Sequence, residues 1–160
     1  MIAAARGRGA FVDMTQQSII YGFIQGAEGM KSDPHKLHRL NRAVIEALPE
    51  KDAFPHLSRS IFAIPGDDPA AGTYKSQVIH FGASMQDVEA HWRQWLEKFE
   101  ALLKKLYWFN AVVQLRGEVV GDMQYEWTVD ANQIVHYFAD PPRPASKFYF
   151  DGGPRDFDLS

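Results

Sequence analysis

Cysteine is absent from the 160 residues, which excludes a disulfide scaffold, a thiol nucleophile and a cysteine-ligated zinc site. No stretch approaches the ~18 consecutive apolar residues of a membrane-spanning helix. Nor is there an apolar run of signal-peptide length behind Arg6 and Arg8. A strong excess of one charge is also missing. With 17 Lys and Arg against 20 Asp and Glu, a formal charge of −3 supplies no uniform basic field for phosphate backbones. The glycine patterns that cradle nucleotides and the G-x-S-x-G elbow of hydrolases do not occur; Gly7 and Gly9 lack both a third glycine and a preceding strand. These absences remove most motif-bearing enzyme classes, nucleic-acid binders and membrane proteins. They leave a cytoplasmic protein as the expectation.

What is present is core material: 46% of the residues are hydrophobic and 13% aromatic, enough for one ordinary domain. Ser18 to Gln25, rich in β-branched and aromatic residues, reads as a strand. Asp33-Pro34 starts a helix whose Leu37, Leu40, Val44, Ile45 and Leu48 recur at helical spacing until Pro49. Leu57 to Ile64 and Lys75 to Ala83 read as two strands joined by a loop around Gly66 to Gly72. Ser84 and Asp87 form a capping-box variant ahead of the strongest signal in the chain. There Val88, Trp92, Trp95, Leu96, Phe99, Leu102, Leu103 and Leu106 fall on one helical stripe, with Glu89, Arg93, Glu97, Glu100 and Lys104 on the polar remainder. Trp108 to Leu115, Gln124 to Val129 and Ile134 to Phe138 follow as further strands.

The order strand, helix, strand, strand, helix, strand predicts an α+β ferredoxin-like two-layer sandwich: an antiparallel sheet with two helices on one face and one or two extra C-terminal strands. Residues 1–13 read as a flexible arm, and 14–160 as a single domain with an irregular aromatic tail from about 140. A sheet covered on one face must be polar on the other or meet something there. Yet the first strand carries apolar groups on both parities, Ile20 and Ile24 against Tyr21 and Phe23. Either the extra strands and the tail fold over the second face, or a second copy of the chain or another protein covers it.

Few residues gather into chemistry. His35 and His38 lie three apart in the first helix without a third ligand at a recognisable spacing, so no metal site is expected. His80 and His136 sit on strands, where hydrogen-bonded structural histidines are common, and His56 and His91 have no context. Asp67 and Asp68, between Gly66 and Pro69, are turn residues, and Asp156 and Asp158 are tail charges. No cofactor is implied. Acidity is concentrated late: up to Gly117 there are 14 basic and 12 acidic residues, and from Glu118 onward 3 and 8. In that last quarter Asp122, Glu126 and Asp130 interleave with Tyr125, Trp127 and Tyr137. Aromatic anchors among carboxylates are the composition of a surface that meets a basic partner, so these six are the candidate partner-binding residues.

The opening strand Ile19-Ile20-Tyr21-Gly22-Phe23, the tryptophan-bearing second helix and the late acidic strands together resemble the small α+β immunity proteins of bacterial polymorphic-toxin systems, over residues 18 to 138. The resemblance implies a non-catalytic cytoplasmic inhibitor that occludes one cognate toxin and has no active site of its own. The alternative is a dimeric ferredoxin-like small-molecule enzyme or ligand-binding protein whose pocket is lined by Tyr21, His80, Trp92, Trp95 and Trp108. A third reading is an assembly module that adds a partner's strand to a free sheet edge.

Overall fold

Alternation of large apolar residues with polar or small ones over nine or ten residues makes the long strands. In the computed structural model, which describes residues 17–27, 33–66 and 77–159, they are β1 (Gln17–Gly26), β3 (Val78–Gln86), β4 (Trp108–Gly117) and β5 (Gly121–Val129). A two-residue β2 (Phe62–Ala63) and a five-residue β6 (Phe148–Gly152) complete one six-stranded sheet in the order β2-β3-β1-β4-β5-β6. Every neighbouring pair is antiparallel. Among the described residues two α-helices, α1 (Lys36–Glu46) and α2 (Trp92–Leu103), connect β1 to β2 and β3 to β4. The protein is therefore α+β with an open antiparallel sheet. Among the described residues no helix is long and apolar enough to cross a membrane. The proposed arm at 1–13 and the Asp67-Asp68 turn lie outside the described residues.

One cluster of buried residues joins both helices to one face of the sheet. Leu37 and Ile45 of α1 and Trp92, Trp95, Leu96, Phe99 and Leu103 of α2 meet Ile20, Ile24, Ile79, Phe81, Ala111, Val113, Leu115, Tyr125 and Trp127. Rings dominate it: Trp92 stacks on Trp95 at 5.2 Å and 2°, Trp95 on Phe99 at 5.4 Å and 11°, and Phe99 reaches Trp127 at 5.1 Å. Three of the four indole nitrogens are satisfied locally, Trp95 donating to the His56 carbonyl, Trp108 to the Leu103 carbonyl and Trp127 to the Glu100 carboxylate. Gly22 permits the close approach of the central strands. A Cβ there would lie 1.9 Å from the Val112 carbonyl oxygen and 2.9 Å from the Phe81 ring.

Several elements differ from the sequence expectation, each for a local reason. The Leu57 to Ile64 strand shrinks to two residues, because the backbone before it turns through a 3-10 segment at Arg59–Ile61, with the Arg59 amide bonded to the Pro49 carbonyl. The next strand runs on to Gln86, since all of β1 from Gln17 to Gln25 pairs with it. Ser84 is thus a strand residue, and Asp87, at φ 58°, turns the chain into a 3-10 segment at Val88–His91 without capping it by a side-chain bond. The apolar run Ile134 to Phe138 is not a strand. It belongs to a 3-10 helix, Ala131–Phe138, nucleated when the Asp130 carboxylate accepts the Asn132 amide. The sixth strand comes instead from the aromatic tail, where Phe148 and Phe150 pack inward.

Glu89 was expected on the polar side of the second helix and is 1% exposed. Its Oε1 accepts the Val119 and Val120 amides at 3.3 and 3.0 Å, closing the β4–β5 turn. Gly117 makes room for it, because a Cβ at that position would sit 2.1 Å from the same oxygen.

Candidate protein-binding face

Because strand side chains alternate, the pairing registers also define the second face of the sheet, which among the described residues neither helix covers. Its central row reads Ala63, His80, Phe23, Val112, Glu126, Asp151 from β2 to β6. The row on one side is Gly82, Tyr21, Gln114, Gln124, and beyond it Ser84, Ile19, Arg116, Asp122. On the other side stand Val78, Gln25, Asn110, Thr128 and Tyr149. Apolar residues concentrate in the middle strands, with Ile19 48% and Tyr21 43% exposed. Carboxylates gather toward β5 and β6, and the β3 side offers small groups and one imidazole.

Polar side chains on this face are held by neighbours along the rows. Gln114 Nε2 donates to Gln124 Oε1 at 2.7 Å, and Asn110 Nδ2 donates to Glu126 Oε2 at 3.1 Å. Arg116 Nε stands 3.7 Å from Asp122 Oδ1, with both side chains well exposed. Gly82 is a notch beside Tyr21. A Cβ added there would meet only the Tyr21 Cβ at 3.6 Å and the Ile20 carbonyl at 3.7 Å, ordinary contacts. Unlike Gly22, this glycine is not required by the packing of its own chain.

The tail does not cover this face. Beyond β6 it turns to the helix side, where the Tyr125 hydroxyl donates to the Pro154 carbonyl at 2.6 Å and Arg155 pairs with Glu100 while lying over the Phe150 ring. Arg93 pairs with Asp156, and that guanidinium holds the Asp156 carboxyl below the ordinary aspartate range. The expectation that extra strands and tail would close the second face is met differently: β5 and β6 widen the sheet edgewise, and the tail seals the first core.

The six candidate binding residues separate accordingly. Asp122 and Glu126 are on the open face. Tyr125, Trp127 and Tyr137 are corrected from surface anchors to core, each 0% exposed. The Tyr137 hydroxyl donates to the Trp108 carbonyl at 2.8 Å, and burial pushes its pKa up to about 12. Burial likewise raises Tyr125. Asp130 is a turn-forming residue at the end of β5. The interleaving seen in sequence reflects strand alternation, which sends neighbouring residues to opposite faces.

The proposed aromatic pocket is dispersed for the same reason. Trp92, Trp95 and Trp108 fill the core, whereas Tyr21 and His80 are on the far side of the sheet. His38, 8% exposed, bonds to the Pro65 carbonyl at 2.9 Å, and His35 lies at the start of α1. Among the described residues no group of three or more His, Asp or Glu is placed to hold a metal. His56 Nδ1 bonds to the Asp52 carbonyl at 2.7 Å, and Phe54 stands edge-on between His56 and His91 in an open groove of about 410 Å³. The open-face residues outside the six candidates include Ile19, Tyr21, Phe23, Gly82 and Tyr149, while Val112 on the same face is 9% exposed. Their signal was the double apolar parity of β1. Comparison with protein-family models, with curated proteins and with solved structures finds no match.

Proposed function

We propose that this chain is a protein-binding protein that acts through the open face of its sheet, as an inhibitor of the immunity-protein kind its sequence resembles. The observation that carries the reading is the exposure of Ile19 and Tyr21 on a central strand, where the solvated face of an antiparallel sheet ordinarily carries polar side chains. Contiguous apolar groups rimmed by polar ones mark interaction surfaces, and exposed aromatic rings supply their anchors. Asp122, Glu126 and Asp151 beside that column favour a basic partner, since charge steers encounter while rings hold the docked state. A cognate toxin in the cytoplasm is the partner this reading names. The β1-α1-β2-β3-α2-β4 order, with strands adjacent as β4-β1-β3-β2, supports a ferredoxin-like core to which β5 and β6 are appended.

The test is site-specific photo-crosslinking in the native cell. A benzophenone side chain replacing Tyr21 is expected to give one discrete protein adduct, and the same group replacing Val135, 66% exposed on the 3-10 helix, none. Adducts from both positions alike, or from neither, would end the open-face reading.

A further inference from the structure

We propose that the resident partner of the open face is a second copy of this chain, packed face to face about a two-fold axis that runs along the strands between β1 and β4. The proposal rests on the reading of that face as a protein-binding surface and names what covers it in the free protein.

The argument is the residue order across the sheet. A two-fold axis parallel to the strands reverses each row from left to right while leaving it at the same height. Reversal of His80, Phe23, Val112, Glu126 lays His80 over the second copy's Glu126 and the half-buried Phe23 over its Val112, a residue 9% exposed in its own chain, and the same contacts recur symmetrically. The apolar pair falls at the centre, and an imidazole meets a carboxylate at each end. Reversal of Gly82, Tyr21, Gln114, Gln124 lays the Tyr21 ring and hydroxyl over a carboxamide, Gln114, and sets the long Gln124 side chain into the notch left by Gly82. In the row that includes Ile19, Ser84 meets Asp122 and Ile19 meets the aliphatic stem of Arg116. An axis perpendicular to the strands would instead stack β5 on β5, bringing Glu126 and Asp122 against like charges. One arrangement thus sets the carboxylates Glu126, Asp122 and Asp151 opposite His80, Ser84 and Ala63, and the other stacks them on one another.

The Gly82 notch is an independent observation. Its own chain has space for a side chain there, and glycine weakens a strand interior unless something approaches closely. Sheets that pack face to face keep their strands within about 30° of alignment, so the central rows stay in register while the outermost drift. Four strands about 4.8 Å apart and nine residues long present roughly 550 Å² per copy. That is about 1,100 Å² in total, just below standard stable interfaces and in the range of weak, reversible ones.

Sedimentation equilibrium of the full chain up to about 200 µM is the experiment. It is expected to show a dimer that Tyr21→Lys weakens about tenfold or more. His80→Glu and Glu126→Lys, each alone, weaken it by a similar factor, whereas the double variant His80→Glu/Glu126→Lys restores it to within about threefold. Gly82→Val weakens the dimer while leaving the thermal midpoint of the isolated chain unchanged or raised, which separates occupation of the notch from misfolding. A wild-type chain monomeric throughout overturns self-pairing. If position 21 then still crosslinks to a different protein, the open-face reading survives with a heterologous partner. If it crosslinks to nothing, both fail. A dimer indifferent to Tyr21→Lys, or a double variant no better than the singles, also overturns the proposed arrangement.

Discussion

The two faces of the sheet are built from the same strands and differ in what meets them. On the helix side Ile20, Ile24, Phe81, Val113, Tyr125 and Trp127 are almost entirely removed from water. On the open side, one residue along, Ile19 and Tyr21 keep close to half their surface exposed. The covered face is an interlocked stack in which each ring has a neighbour at 5 to 6.5 Å, and its substitution costs stability. On the open face Ile19 and Tyr21 contribute less burial to folding, and it is to this face that the binding proposal refers.

The largest expected break in this contrast is Trp127→Ala. It removes a fully buried indole and leaves Glu100 without the donor at 2.8 Å, so a loss of about 3–5 kcal/mol in urea unfolding is expected. Gly22→Ala comes next. Its Cβ would be driven into the Val112 carbonyl, forcing β1 from β4 at a cost of roughly 3 kcal/mol, whereas Gly82→Ala on the opposite face is neutral or stabilising in the same assay. That pair of glycines sharpens the comparison most directly, because the chemistry of the substitution is identical.

Tyr137→Phe is expected to cost about 1–3 kcal/mol by removing the hydroxyl that serves the Trp108 carbonyl. It also tests a titration. A phenol whose pKa rises from 10.0 to about 12 on folding contributes stability that is complete below pH 10.0 and lost as pH rises through about 12. Alkaline unfolding of the wild type should therefore be steeper across that window than that of Tyr137→Phe.

Asp52 gives the acid counterpart. Burial raises its carboxyl, but Lys98 and the Leu57 and Ala53 amides outweigh burial and hold it below the ordinary aspartate range. Lys98 Nζ reaches Asp52 at 2.9 Å and also the Ala53 and Pro55 carbonyls. A carboxyl lowered on folding stabilises above its unfolded pKa of 3.8 and loses that contribution as pH falls through the lower folded value. Asp52→Asn should cost on the order of 1 kcal/mol at neutral pH and flatten the stability profile below about pH 4. The smallest effect on folding is expected on the open face, where Ile19→Thr changes the unfolding free energy of the isolated chain by no more than about 0.5 kcal/mol in the same urea titration.

Much of the architecture was legible because it rests on periodicity. The α2 stripe from Trp92 to Leu103 and the strands at Ser18 and Trp108 are long runs in which each apolar position agrees with its neighbours. Short segments were less readable. Ile134 to Phe138 has the composition of a strand, but the Asx bond at Asp130 and the buried Tyr137 hydroxyl fix it as a 3-10 helix. Glu89 reads as a surface charge until the β4–β5 turn presents two amides to it. Of the six candidate residues, Asp122 and Glu126 lie on the open face, whereas Tyr125, Trp127 and Tyr137 are buried in the core.

By itself the sequence determined the class of the fold, the strands with two apolar parities and the lateness of the acidic charge, all of which are properties of spacing and composition. Only the tertiary structure decided which parity is covered. The helices reach one side, the tail follows them, and β5 and β6 extend the edge, so burial is assigned by where distant segments cross. A pattern of period two is symmetrical between the faces of a sheet, and nothing local distinguishes the side that meets a helix from the side left open.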